Sequence, residues 1–111
     1  MIQIDRKEIE GRLDLTHIRR EEDSVVPING QAVKLPYMVL RQKENIESSD
    51  NGRVRYEKIE WIVALFTVNR DDESTRKIVQ ALTGVGKIEM TRYPDGQPYQ
   101  TNFKFTTRQA I

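Results

Sequence analysis

A small α+β domain is the fold this sequence predicts: a single largely antiparallel β-sheet, one main helix packed on a face, and a short N-terminal helix plus β-hairpin arm. Three observations lead there. Residues 99–107 alternate Tyr99, Thr101, Phe103 and Phe105 with Gln100, Asn102, Lys104 and Thr106, the period of a strand with one face on a core and one in water. Residues 53–68 are rich in β-branched and aromatic side chains, and from Ile59 to Val68 both parities are apolar, as in a central strand covered on both faces. Between these stretches Asp71-Asp72-Glu73-Ser74 places acids ahead of Ile78, Ala81 and Leu82, an apolar helical face whose positive N-terminal end favours negative charge.

The remaining elements follow in chain order. Asp5 caps a short helix over 5–15, with Glu8 three positions on as in a capping box and Ile9 and Leu13 as a thin apolar stripe. Gly11 weakens that helix by roughly 1 kcal/mol relative to alanine. Residues 19–23, Arg-Arg-Glu-Glu-Asp, read as solvated loop. Val25, Val26 and Ile28 face Ala32, Val33 and Leu35 across Asn29-Gly30, a dipeptide suited to a two-residue hairpin turn. Pro27 removes a ladder donor, so this arm belongs at an edge. Residues 36–43 form a strand, with Tyr37 and Val39 on one face and Met38 and Leu40 on the other. Residues 43–53 form a long connection containing Ser48-Ser49-Asp50-Asn51-Gly52. In the strand that follows, the apolar parity changes near Glu57-Lys58, which predicts a bulge or bend there. Gly84 is placed to end the main helix, expected over 72–83, in the left-handed conformation. A strand over 87–93 carries Ile88 and Met90 on one face, and Pro94-Asp95-Gly96 turns the chain into the last strand. A single domain over 1–111 results, with helix and loop at 1–23, arm at 24–35 and the sheet-and-helix core at 36–107.

Composition narrows the function. Apolar residues make up 37% and charged residues 32%, enough for one modest core beneath a heavily charged surface. The 18 basic and 17 acidic residues leave a net charge of +1, so no overall field favours nucleic acid or an anionic membrane. With no cysteine there is no disulfide framework and no thiolate metal site, which suits a reducing compartment. The opening residues lack the apolar stretch of a secretory signal, and the longest apolar run, Trp61–Phe66, is too short to span a bilayer.

No residue set points to catalysis, a metal or a cofactor. His17 is the only histidine and has no second ligand-type residue in a recognisable spacing, so it reads as a surface residue. Asp71, Asp72 and Glu73 fall on different helix faces and are explained by the helix end. Ser24, Ser48, Ser49 and Ser74 lie in no motif with a base. Gly84-Val85-Gly86-Lys87 looks like the tail of a phosphate loop, but it follows a helix, and a helix C-terminus repels phosphate. Arg53, Arg55, Tyr56, Lys58 and Trp61 interleave cations with rings and could form a nucleic-acid-binding strand. An amphipathic edge strand explains the same letters.

Residues 35–107 resemble the tail-terminator (tail-completion) proteins of long-tailed phages and prophages. The resemblance is carried by Leu35-Pro36-Tyr37-Met38-Val39-Leu40, by Ser49-Asp50-Asn51 with Tyr56 following, by Ala64-Leu65-Phe66-Thr67-Val68 leading to Arg70-Asp71-Asp72, and by the closing Tyr99–Phe105 strand. Ser49 stands where the family often has alanine, and Val63 or Ala64 where an acid is usual. The resemblance implies a non-enzymatic virion protein, assembled in the host cytoplasm. It implies a ring, commonly a hexamer, that caps the tail tube and meets the head–tail connector, with no membrane and no sequence-specific nucleic acid among its partners. A neighbouring connector component is the other assignment the same features allow. A ring needs a heterologous interface, for which the candidates are the arm, with Pro27, Ile28, Asn29 and Gly30, and the loop around Asp50 and Asn51.

Overall fold

A computed structural model describes residues 5–21, 34–48, 55–96 and 98–110. The elements run α1 (Arg6–Asp14), β1 (Arg19–Glu21), β2 (Tyr37–Ser48), β3 (Arg55–Thr67), α2 (Asp72–Ala81), β4 (Glu89–Tyr93) and β5 (Tyr99–Ala110). The strands form one sheet in the order β1-β2-β3-β5-β4. Only the β1–β2 pair is parallel; the other three pairs are antiparallel. The expected α+β class, with a largely antiparallel sheet and the main helix on one face, is the observed one.

Both helix starts follow from local chemistry. The Asp5 carboxylate accepts from the Glu8 N–H at 2.9 Å, capping α1. The capping box is half formed, because the Glu8 carboxylate turns forward to accept from Arg12 at 3.2 Å. Asp71 caps α2 twice over, accepting from the Ser74 N–H at 2.9 Å and from its hydroxyl at 2.8 Å. Gly84 ends that helix region with φ of +86°, as its position predicts. Gly86 comes so close to β5 that a Cβ there would sit 3.1 Å from the Thr106 carbonyl oxygen. Asp71→Ala, which removes both cap bonds, should lower stability by about 0.5–2 kcal/mol in a chemical-denaturation experiment.

One face of the sheet carries the core. Ile9 and Leu13 of α1, Ile78 and Leu82 of α2, and Val85 pack against Met38 and Leu40, the odd-numbered residues Ile59–Leu65, and Phe103 and Phe105. Trp61 lies fully buried beneath them, its ring roughly parallel to that of Phe105 with centroids 6.2 Å apart, and its indole N–H donates to the Thr107 hydroxyl at 2.9 Å. The helices are also tied together: Arg12 donates to the Thr83 carbonyl at 3.0 Å, where the end of α2 leaves acceptors unpaired. Arg20 of β1 reaches Glu10 and Asp14 of α1, and Arg92 of β4 reaches Asp72 of α2.

Three expectations are corrected. Residues 19–21 are not loop but a short parallel edge strand. Residues 43–48, expected in the long connection, continue β2. No bulge interrupts β3 at Glu57-Lys58, since both ladders run through those residues without a break. The parity changes there because the helical cover ends: Ile59 is buried, whereas Glu57 is only half-buried. The helices pack on one face of β3; on the other, Val39 and Ala64 are buried and Ile62 and Phe66 half-buried.

Candidate functional site

The sheet is broad at one end and narrow at the other. Among the described residues, β1 pairs with β2 at Tyr37–Val39 alone, and β4 with β5 at Gln100–Lys104 alone. Beyond those residues β2, β3 and β5 continue as a three-stranded blade, joined through Ser48↔Arg55 on one side and Tyr56↔Ala110 on the other. A twelve-residue strand at about 3.4 Å per residue spans roughly 40 Å, which accounts for most of the 52 Å long axis of a molecule otherwise 30 by 25 Å. Among the described residues, the outer edge of β2 past Val39 and that of β5 past Lys104 have no strand partner. On the first edge the Leu40 carbonyl accepts from the Arg6 guanidinium at 3.3 Å, and the Gln42 side-chain oxygen accepts from the same group at 2.6 Å.

The face away from the helices is graded in chemistry, because residues paired across strands share a face. At the broad end one row holds Tyr37, Phe66, Gln100 and Tyr93. Tyr37 and Phe66 stack with centroids 4.8 Å apart, and Tyr93 is 45% exposed. Val39, Ala64, Asn102 and Thr91 form the next row. Toward the narrow end come Arg41, Lys43, Lys58, Lys104 and Arg108, five cations set among two carboxylates, Glu60 and Glu89. Lys58 pairs with Glu60 at 3.7 Å. Where β4 stops, a shallow open cleft of about 440 Å³ is lined by Lys58, Lys87, Lys104 and Arg108 together with the carboxylates Glu60 and Glu89.

Pro27, Ile28, Asn29, Gly30, Asp50 and Asn51, the residues the sequence offers for subunit contacts, lie outside the described residues, as do residues 24–33 of the arm expected over 24–35. His17 is exposed and ends the α1 turn with φ of +59°. Its N–H donates to the Asp14 carbonyl at 3.1 Å, a local backbone role. Asp72 forms an ion pair with Arg70 at 2.8 Å. That hydrogen bond holds the carboxyl below the usual carboxylate range, opposed by slight desolvation and helped by the Arg70 and Arg92 charges. The same contact raises the Arg70 guanidinium. Gly84–Lys87 follow α2, so their N–H groups have no helix to lead. Among the described residues no group of three or more His, Cys, Asp or Glu is placed to hold a metal, and no helix is long and apolar enough to cross a membrane.

The cationic rows were missed in the sequence reading, although a signal for them existed. Arg41 and Lys43 share a parity, as do Lys104 and Arg108, but pairing through β3 is what assembles them. The free edges had no comparable signal, because an edge is defined by the strand that is not beside it. Neither the protein-family models nor the curated proteins compared with this chain contain a match to it.

Proposed function

We propose that this protein is a structural subunit of a phage tail, a terminator that forms a ring at the head-proximal end of the tail tube by joining copies of itself edge to edge. One observation carries the assembly reading: the blade presents two long strand edges, on β2 and β5, without strand partners among the described residues. Unpaired strand edges are templates for another chain. Here the two lie on opposite sides of one sheet, so the β2 edge of one subunit meeting the β5 edge of the next is a heterologous contact, the kind that closes into rings. The tail assignment adds the resemblance of residues 35–107 to tail terminators, and with it the tail-tube protein and head–tail connector as partners.

The alternative use of the Arg53–Trp61 strand to stack nucleic-acid bases is disfavoured, since Trp61 is fully buried and its N–H is already bonded. A chain without cysteine allows a direct test of the ring. A variant carrying both Lys43→Cys and Arg108→Cys, treated at high concentration with a flexible bis-maleimide, should give a ladder of covalent oligomers that stops at a closed ring. Either single variant should stay monomeric. Dimers from a single variant would mean a two-fold interface, and no ladder from the double variant would remove the edge-to-edge joint. In a phage carrying this gene, its deletion should leave tails of irregular length or tails unable to join heads under the electron microscope; normal particles would overturn the terminator role.

A further inference from the structure

We infer that the helix-free face of the sheet binds single-stranded nucleic acid, its phosphates against the cations of the narrow end and its bases against the rings of the broad end. This uses a face rather than the edges, so it stands or falls independently of subunit joining.

The charge argument is local. The whole chain has a net charge of +1, yet three adjacent rows of this face set five cations against two carboxylates. Arg41, Lys58 and Arg108 also interact within the molecule. Lys43, Lys87 and Lys104 are exposed, and the last two line the cleft at the end of β4. A chain of phosphates laid on such a patch displaces condensed counterions, which is the main source of affinity in sequence-independent binding.

The rings specify the class of polyanion. Tyr93 lies four residues along β4 from Glu89, about 13 Å from the Lys104 row, and it shares its own row with the stacked Tyr37 and Phe66. Exposed bases stack on aromatic side chains regardless of sequence. Bases paired in a duplex cannot, because their faces are already occupied by neighbours. The lysines alone would suit any polyanion, and a ring within reach of them adds a contact that the bases of a single strand can use. The cations and rings lie on one face of the sheet and the helices on the other, so both contacts are offered to one extended strand.

The test is fluorescence anisotropy with a labelled oligothymidylate of about twelve nucleotides, using the full chain. Binding should be measurable at about 50 mM salt and weaken steeply toward 200 mM, with log Kobs falling against log salt at a slope near −2 for about three phosphates neutralised. Tyr93→Ala should weaken binding by about five- to a hundredfold, and Tyr93→Phe, which keeps a ring, should restore it. Lys104→Glu should weaken binding and flatten the salt slope. Both positions are solvent-facing, so unchanged thermal melts will confirm that the variants fold. A duplex of the same length should bind more weakly than the single strand. The inference is overturned if no binding occurs at low salt, or if Tyr93→Ala binds as tightly as the parent. It is overturned equally if a polyglutamate peptide competes as well as the oligonucleotide, which would identify an acidic protein partner instead.

Discussion

Phe103→Ala should lower the stability of this protein by about 3–5 kcal/mol, read as a shift in the denaturation midpoint at unchanged slope. Phe103 is completely buried, opposite Val63 on one side and Met90 on the other, at the middle of the face that both helices cover. Truncation leaves a cavity framed by strands whose ladders hold them in place, so little collapse can relieve it. Trp61→Ala should fall in the same range, with an added loss because the Thr107 hydroxyl forfeits the donor at 2.9 Å. Trp61→Phe separates the two effects: it keeps most of the buried area and should cost about 1–3 kcal/mol through the missing hydrogen bond and imperfect fill. Small domains have only about 5–15 kcal/mol in total, so either alanine variant should be partly unfolded at modest denaturant. A midpoint that hardly moves for Phe103→Ala would refute the core assignment.

Leu13→Ala should cost about 2–5 kcal/mol, with a more local signature. The described residues of α1 attach to the core through Ile9 and Leu13 alone, both fully buried. Its remaining ties are polar: Arg12 to the end of α2, Arg6 to the β2 edge, and Glu10 and Asp14 to Arg20. Exposed ion pairs of that kind contribute little individually, so removing one of two apolar anchors should let the helix detach before the sheet unfolds. Amide exchange should therefore accelerate over 6–14, and with it over 19–21, while residues 59–65 stay protected. Uniform acceleration across the whole chain would show instead that α1 and the sheet open only together.

The central parts of the fold were legible because their signals are local. The Asp71 cap, the alternation of Tyr99–Thr107 and the doubly apolar Ile59–Val68 each specify an element without reference to distant residues. The β1 strand was not legible: Arg19-Arg20-Glu21 has no apolar pattern, and it is a strand only because β2 lies beside it. Glu44–Ser48 looks like loop for a similar reason, since pairing with β3 overrides weak local preference. The parity change at Glu57 was visible but meant something else, namely the limit of the helices rather than a break in the ladder. The cationic face was the least legible of all. Cations from β2, β3 and β5 become one patch only after the register aligns Arg41, Lys104 and their neighbours.

The contact from Arg6 to the Leu40 carbonyl acquires a second meaning under edge-to-edge joining. A strand arriving along β2 meets, at Leu40, a guanidinium already in place. The helix thus acts as a stop on a ruler, fixing where the shared ladder starts. A β-ladder can otherwise slip by two residues without moving any side chain to the wrong face, and each slip would change the pitch between successive subunits. Identical subunits that all dock against the same stop share one pitch, the condition for a chain of copies to return to its beginning instead of winding away as a spiral.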